Sequence, residues 1–299
     1  MKYFIFSDKL SIASELVGFA KSKEAEAVVF AFNENQANEL AKSGASKVIL
    51  VTGPSARPED YASGLAEFLL KECPDCVLVS ATTRMRDFAA SLAGNLGWPM
   101  VNDVMEINLE EGAFVTKKMM YGGATVRTES FAKGVVIIVP EGKYEACEAG
   151  EAAVESVAVA ADSRVKYIGT EEIKASGSNL ASAERVVGIG LGLGKTEGLE
   201  EVHKLMDALD ADIASSRPAA EEKHWVESER YVGISNLNIS PKLYVALGIS
   251  GQVQHVVGVR DAKIIVAVNT DENANIFRYA DYGIVADMYE FIPEMIKAL

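Results

Sequence analysis

The first half of the chain alternates short apolar runs with longer stretches in which apolar residues recur every three or four positions. The apolar runs lack strict alternation with polar residues, as is typical of strands that are buried on both faces of a parallel sheet. They predict strands at 3–6, 27–32, 47–51, 76–80 and 134–139. The stretches between them predict helices at 12–21, 35–43, 59–71 and 84–96. This β-α-β order predicts a doubly wound α/β sheet.

Two segments interrupt the rhythm. Strand patterns at 104–108 and 114–120 flank a Glu110-Glu111-Gly112 turn, which predicts a hairpin inserted before the last strand. Between about 141 and 184 the pattern is lost, apart from a short β run at 165–168 and a cluster of small residues at 175–179. Because domain boundaries fall in such segments, we predict a first domain at 1–174, a linker at 175–184 and a second domain at 185–299.

The second domain repeats the α/β rhythm on a smaller scale. Its apolar runs predict strands at 186–190, 211–214, 243–249, 263–268 and 283–285, with helices at 197–209 and 289–299. A length of 299 residues agrees with two domains. The predicted fold class is α/β, with two doubly wound parallel-sheet domains, of which the C-terminal one is smaller.

Small and polar residues follow every predicted strand of the second domain. In strand order they are the glycine run at 188–194, Ser215-Ser216-Arg217-Pro218, Ser250-Gly251-Gln252-Val253-Gln254-His255, Asn269-Thr270-Asp271 and Asp287. In an open parallel sheet, ligands bind beyond the carboxyl ends of the strands. The second domain is therefore the better candidate for holding a large ligand.

The glycine run at 188–194 matches neither standard nucleotide-binding motif. A GxGxxG frame places Leu193 or Lys195 at the third glycine, and a P-loop frame places Ile189 at the first. Closely spaced glycines still let backbone N–H groups approach a phosphate at a helix N-terminus. The alternative is a strand-to-helix turn in which the glycines serve packing alone.

Two other side chains at this edge carry candidate chemistry. Arg217 offers a planar cation that can stack on an aromatic ring, and its alternative role is a surface salt bridge with Glu221 or Glu222. His255 is one of three histidines, and its alternative role is structural. The sequence contains no Ser-His-Asp order, paired carboxylates or metal-ligand spacing, so we predict no catalytic residue and no metal site.

Composition argues against several classes of protein. A net charge of −14, from 29 basic and 43 acidic residues, argues against nucleic acid as a partner, since that affinity comes from Lys and Arg neutralising phosphates. No run approaches the ~20 apolar residues of a membrane span, and the N-terminus does not resemble a signal peptide. Three cysteines fit a reducing cytoplasm. The Cys73–Cys76 pair lacks the second ligand pair that structural zinc needs, so we interpret it as incidental.

The last third of the chain carries long motifs that resemble the electron transfer flavoprotein alpha subunit. They are SRP at 216–218, RYVGISNL at 230–237, LGISGQVQH at 247–255, VNTD at 268–271 and ADYGIVAD at 280–287. The first half is similar to the family's N-terminal domain in length and rhythm, with Tyr121-Gly122-Gly123 as a weaker shared mark. The segments SRP and ERYVGISN look like the bacterial branch linked to nitrogen fixation, carnitine and anaerobic acyl-CoA metabolism.

The resemblance implies an FAD held by the second domain and a beta subunit that completes an obligate heterodimer. It implies that Arg217 lies over the isoalloxazine ring, where a cation favours the anionic reduced flavin. Ser235 would approach the redox-active ring nitrogen, and His255 would lie near the pyrimidine-side carbonyl. The remaining predicted cofactor-binding residues are Ser250 and Gln254 around the ribityl chain and phosphates, Asn269 and Asp287 on the adenosine side, and Gly190, Gly192, Ser216, Gly251 and Gln252.

Four residues depart from the family pattern. Leu191 stands where the first glycine turn normally carries an arginine, and Thr270 stands where a lysine usually follows the asparagine. Asn275 replaces a proline, and Ile234 replaces a glutamine that many relatives have. The loss of a cation near the diphosphate predicts weaker binding of FAD.

These implications predict an electron carrier that transforms no small molecule by itself. The flavin would accept electrons from one partner and pass them to another, such as an acyl-CoA dehydrogenase or a related flavoenzyme. One alternative is a subunit of an NADH-oxidising, flavin-based electron-bifurcating complex, with a second FAD in the beta subunit. Another alternative, indicated by Leu191, is a nucleotide-binding module that has lost its flavin.

Overall fold

The computed structural model describes residues 1–147, 150–162, 164, 167–169, 171 and 180–299. The chain forms two compact units, Met1–Thr170 and Glu171–Leu299. Residues 175–179 of the predicted linker and the first two residues of the predicted β run at 165–168 lie outside the described residues. The division into 1–174, 175–184 and 185–299 therefore stays a prediction.

The first unit is built on a seven-stranded parallel sheet with a three-stranded antiparallel sheet beside it. The strands of the unit are β1 (Lys2–Phe6), β2 (Glu26–Ala31), β3 (Lys47–Thr52), β4 (Cys76–Ser80), β5 (Met100–Val101), β6 (Val104–Glu110), β7 (Ala113–Met120), β8 (Thr125–Phe131), β9 (Val135–Val139) and β10 (Val154–Ala158). The parallel sheet has the order β10-β3-β2-β1-β4-β9-β5. Every residue of β4 and β9 is buried, as their unbroken apolar runs predict.

Helices cover both faces of this sheet, which confirms the doubly wound prediction. They are α1 (Leu10–Ser22), α2 (Glu34–Leu40), α3 (Ala62–Glu72) and α4 (Thr83–Leu96). Helices α1 and α2 contribute to the core on one face, and α3 and α4 to the core on the other. Two helices begin at side-chain caps, since Asn33 accepts from Gln36 N at 2.8 Å and Thr82 accepts from Met85 N at 3.3 Å.

The antiparallel sheet extends the predicted hairpin. Strands β6 and β7 pair across the Glu110–Gly112 turn, and β8 adds a third strand that the sequence pattern does not predict. Val104, Ile107 and Phe114 of this sheet join the core on the α1 side. The segment after β9 is also more ordered than its sequence predicts, because β10 pairs in parallel with β3. The expectation that the strand pattern ends at 141 was wrong at this point.

The second unit is a five-stranded parallel sheet with the order β12-β11-β13-β14-β15. Its strands are β11 (Arg185–Ile189), β12 (Asp212–Ser215), β13 (Leu243–Leu247), β14 (Ile265–Asn269) and β15 (Tyr282–Val285). Its helices are α5 (Leu199–Leu209), α6 (Arg217–Glu221), α7 (Val253–Val256) and α8 (Met288–Ala298). The predicted strands and long helices are confirmed, and the α/β fold class with them.

The two faces of the second sheet are covered differently. Helices α5 and α8 pack their apolar stripes against one face, through Val202, Leu205 and Ile292 among others. The other face is covered by loop residues and the short helix α7, which bring Val232, Ile239 and Val256 into the core. The irregular side therefore offers many backbone and side-chain polar groups near the carboxyl ends of the strands.

Candidate functional site

The candidate site lies where the strand order of the second sheet reverses. The chain runs from β11 outward to β12 and then crosses back to β13 on the other side of β11. Adjacent parallel strands whose connections leave in opposite directions open a crevice beyond their carboxyl ends, and open α/β sheets bind ligands there. The glycine run and the segment beginning at Ser250 both follow this pair of strands.

Glycines let the two loops of the crevice approach each other closely. A Cβ on Gly190 would lie 2.2 Å from Gly248 O, and one on Gly192 would lie 2.6 Å from Gly248 Cα. The N–H of Gly190 donates to Leu247 O at 2.9 Å, and that of Gly192 donates to Gly248 O at 3.0 Å. Gly190 and Gly192 thus serve loop packing, and their amide protons are already hydrogen bonded. Their assignment to the cofactor stays a prediction.

Hydrogen bonds connect the loops that follow β13 and β14 at this edge of the sheet. Asn269 at the end of β14 donates from Nδ2 to Ile249 O at 2.9 Å. Ile276 N donates to Ser250 O at 3.2 Å, beside Gly251, whose φ is +79°. The exposed side chains of Ser250 and Gln252 therefore stand on loops that neighbouring strands hold in place.

The segment 231–237 connects the β12 side of the edge to α7. Val232 N donates to Ser215 O at 3.0 Å, and Ile234 N donates to Gln254 O at 2.9 Å. The Tyr231 hydroxyl lies 3.3 Å from both the backbone oxygen and Oγ of Ser235. This contact fixes Ser235, which is exposed, on the same side of the sheet as Gln254.

The β12 end carries two hydroxyls and a cation. Ser215 Oγ and Ser216 Oγ are shielded from solvent, and neither has a hydrogen-bond partner among the described residues. Arg217 begins α6 and is largely exposed, with its Nε 2.5 Å from Glu221 Oε2. The Glu221 carboxylate raises the pKa of the Arg217 guanidinium. The salt bridge considered as an alternative for Arg217 is therefore present.

His255 lies below the surface of the site. It is buried on α7, and its Nε2 lies 3.0 Å from the hydroxyl of Tyr244. Burial lowers the pKa of His255 to about 4, while the Val232 backbone acts weakly in the opposite direction. The imidazole is therefore neutral at physiological pH.

The structure brings the predicted cofactor-binding residues to one edge of the second sheet, with one qualification. Asp287 follows β15, where its Oδ1 accepts from Tyr289 N at 2.8 Å and caps α8. This carboxylate already has a structural task as a helix cap. Its contact with the adenosine side stays a prediction, as do the individual roles of the other residues.

Sequence reasoning gave no individual role to four residues of this region. Tyr244 was not singled out, Tyr231 was named only within the motif at 230–237, and Ser215 and Gly188 were named only within the segment at 215–218 and the glycine run. The available signal for Tyr244 was its place inside an apolar strand, since a buried tyrosine hydroxyl needs a polar partner. The signal for Ser215 was its place at the carboxyl end of a predicted strand, in the segment at 215–218.

The residues present fit a large polar ligand such as FAD. Two shielded hydroxyls without partners, Ser215 Oγ and Ser216 Oγ, stand at the edge where such a ligand is expected. Arg217 supplies positive charge there, and Ser250 and Gln252 offer exposed polar groups. Leu191 is 48% exposed, so an apolar side chain occupies the position where the resemblance leads us to expect an arginine.

Other chemistries find no support in the described residues. No group of three or more His, Cys, Asp or Glu side chains is placed there to hold a metal ion. Cys76 is fully buried, which raises its pKa well above the ordinary value, whereas a redox CxxC needs a stabilised thiolate. Among the helices of the described part of the chain, none has the length and apolar character that crossing a bilayer requires.

Comparisons with known proteins agree with this location. Residues 179–260 match the family model for the electron transfer flavoprotein FAD-binding domain, and residues 10–162 match that for the electron transfer flavoprotein domain. The chain is 36% identical over 303 residues to an Escherichia coli K12 protein named as electron transfer flavoprotein subunit YdiR. It is 36% identical over 305 residues to protein FixB of Salmonella typhimurium. Each match covers 99% of this chain and 97% of the relative.

A solved structure of a thiamin diphosphate-dependent enzyme from Mycobacterium smegmatis matches 99% of this chain and 59% of its own. Its TM-score is 0.26 and its sequence identity 10%, so this likeness carries no argument.

Proposed function

We propose a specific function for this chain, which belongs to the electron transfer flavoprotein family as an alpha-type subunit. The chain holds FAD in its second unit, and the family implies a beta subunit as its partner. In our proposal the heterodimer carries electrons from a donor to an acyl-CoA dehydrogenase or a related flavoenzyme. The polar edge beyond β11 and β13, inside the stretch that matches the FAD-binding domain, is the observation that supports this role most directly.

FAD supplies the electron-carrying ring, and the residues of this chain bind and orient it. We assign Ser216, Ser250 and Gln252 to hydrogen bonding, since they offer polar groups at the edge. Close packing of Gly190 and Gly192 on Gly248 shapes the floor of the crevice. The proposed binding set also contains Arg217, Ser235, Gly251, Gln254, His255, Asn269 and Asp287.

Arg217 is proposed to favour the reduced flavin through its positive charge. Replacing Arg217 with alanine should lower the midpoint potential of the bound flavin by roughly 30 mV for each tenfold loss in preference for the two-electron reduced form. The measurement is a spectroelectrochemical titration of the heterodimer. Arg185→Ala is the matched control, because Arg185 is also partly exposed and paired with a carboxylate, but it lies at the opposite, amino end of β11. Equal potentials in Arg217→Ala and Arg185→Ala would remove this role.

A flavin count on the complex tests the proposed function. The tagged chain, co-expressed with its beta subunit, should purify as a yellow heterodimer that contains about one FAD if it is a simple electron carrier. A count of about two, with reduction by NADH, would support the bifurcating complex. A colourless heterodimer that stays colourless with added FAD would contradict the proposal.

The location and domain limits are also proposals. Within the described residues, Cys73, Cys76 and Cys147 form no disulfide, which favours a reducing compartment such as the cytoplasm. We place the boundary of the FAD-binding domain within 175–184, because the matched FAD-binding stretch begins at residue 179. The first domain, 1–174, would then provide the contact with the beta subunit.

A further inference from the structure

A buried tyrosine–histidine pair lies beneath the candidate flavin site. Tyr244 is the second residue of β13 and is completely buried, and His255 on α7 is 7% exposed. The Tyr244 hydroxyl and His255 Nε2 are 3.0 Å apart, and no other described residue hydrogen bonds to that hydroxyl. Because both groups are removed from water, this hydrogen bond replaces the solvation that each has lost.

The sheet is built to accommodate the phenol. Gly188 of β11 pairs with Ala246 of β13 on one side and with Ala214 of β12 on the other. A Cβ on Gly188 would lie 2.0 Å from the Tyr244 hydroxyl oxygen and 2.4 Å from its Cζ. Any other residue at position 188 would therefore push the phenol away from His255. Gly188 belongs to this arrangement and not to a phosphate turn.

The hydrogen bond selects one form of the imidazole. A neutral histidine carries one N–H and one bare nitrogen, and the Tyr244 hydroxyl must donate its proton to some acceptor. If Nε2 is bare, the hydroxyl donates to it and both groups are satisfied. If Nε2 instead carried the proton, the Tyr244 proton would be buried with no acceptor among the described residues. The first arrangement avoids leaving a buried donor unpaired, which costs about 1–3 kcal/mol.

We propose that Tyr244 is a positioning residue that keeps His255 neutral with its proton on Nδ1, so that His255 presents an N–H donor to FAD. His255 Nδ1 is shielded from solvent and has no hydrogen-bond partner of good geometry among the described residues. The competing acceptor for its proton is the Val232 backbone, which raises the pKa of His255 against the larger effect of burial. This inference rests on the proposed function, because the resemblance is what brings His255 near a flavin carbonyl. A donor fixed in advance loses little entropy when the cofactor binds.

The test compares Tyr244→Phe with wild type in the heterodimer with its beta subunit. Two-bond proton–nitrogen spectra of the 15N-histidine-labelled complex should show a bare Nε2 and a protonated Nδ1 for His255 in wild type. His255→Gln identifies the signal by its absence. In Tyr244→Phe the Nε2-protonated form should appear, and the dissociation constant for FAD should rise about three- to tenfold, the loss of one neutral hydrogen bond. Tyr244→Phe should add nothing in a His255→Gln background.

Tyr3→Phe is the matched control, since Tyr3 is also fully buried but its hydroxyl hydrogen bonds only to the Met1 sulfur, at 3.7 Å, within the described part of the first unit. It should change neither the His255 spectrum nor the affinity for FAD. A protonated Nε2 in wild type would overturn the proposal without any variant, even if Tyr244→Phe fails to fold. An altered His255 tautomer in Tyr244→Phe with unchanged affinity for FAD would also overturn the proposal. The Nδ1 proton would then be donated to the Val232 backbone and not to FAD. Failure of the proposed function would differ from both, since wild type itself would hold no FAD.

Discussion

Replacing Gly251 with alanine is expected to disrupt the second unit and to abolish retention of FAD. Gly251 has a φ of +79°, and a Cβ there would lie 2.1 Å from Ile276 N and 2.4 Å from Ile276 Cα. These are backbone atoms, so no side-chain rotation relieves the overlap. The same clash would break the hydrogen bond from Ile276 N to Ser250 O. Backbone strain of about 1–3 kcal/mol and the steric overlap together should exceed roughly 3 kcal/mol.

The variant Gly194→Ala separates the cost of backbone strain from the cost of the steric overlap with Ile276. Gly194 has a similar φ of +75°, but no atom lies within 4 Å of where its Cβ would be. Gly194→Ala should therefore lower the free energy of unfolding only by the cost of the backbone strain, and FAD should stay bound. The measurement is urea unfolding of the heterodimer followed through Trp225 fluorescence in a Trp98→Phe background, together with a flavin count. Equal losses of stability in the two glycine variants would show that the contact with Ile276 is not decisive.

The parallel sheets could be predicted because burial on both faces leaves a local signature. The run at 76–80 and the observed strand Cys76–Ser80 coincide, and every residue of that strand is buried. Such strands read as unbroken apolar runs, whatever their neighbours in the sheet. The rule that ligands bind at the carboxyl edge of a parallel sheet predicted the edge that carries the site. The order of the strands, and hence the crevice between β11 and β13, comes from the structure.

Strands on the surface were missed because their sequences lack that signature. In β8 the burial pattern is mostly exposed, with Val126 at 59% exposure, and the strand is held by pairing with β7. Strand β10 is likewise mostly exposed and owes its form to the edge of β3. Strand preference at an edge depends on pairing partners distant in the chain, which a local pattern does not contain.

The candidate site was predicted as a set of residues but not as a set of contacts. For the glycine run at 188–194 the sequence left open a phosphate-binding turn and a turn that serves packing alone, and the structure shows that Gly188 makes room for Tyr244. It offered two roles for Arg217, and the ion pair with Glu221 is the one present within the chain. Contacts between β11, β13 and α7 join positions 67 residues apart, from Gly188 through Tyr244 to His255, and only the folded sheet brings them together.

Acidification should destabilise the second unit through His255. Burial lowers the pKa of His255 to about 4 in the folded chain, against 6.5 for an exposed histidine. Between these values the unfolded chain binds a proton that the folded chain does not, so the free energy of unfolding falls as the pH falls. The contribution is fully present above pH 6.5 and is lost as the pH approaches 4. At about 1.4 kcal/mol per pKa unit, the whole loss is on the order of 3 kcal/mol.

The contribution of His255 is identified by how steeply the free energy of unfolding depends on pH, and not by the value of that free energy at one pH. His255→Gln should be less stable than wild type at pH 7.5, because it loses the hydrogen bond to Tyr244 and leaves that hydroxyl buried. Yet its free energy of unfolding should fall less steeply between pH 6.5 and 4.5, since glutamine does not titrate. His203→Gln, on α5, is the control and should keep the wild-type slope. If the free energies of unfolding of wild type and His255→Gln fell in parallel over this range, His255 would have to be hydrated in the folded chain. That result would contradict the buried hydrogen bond between His255 and Tyr244.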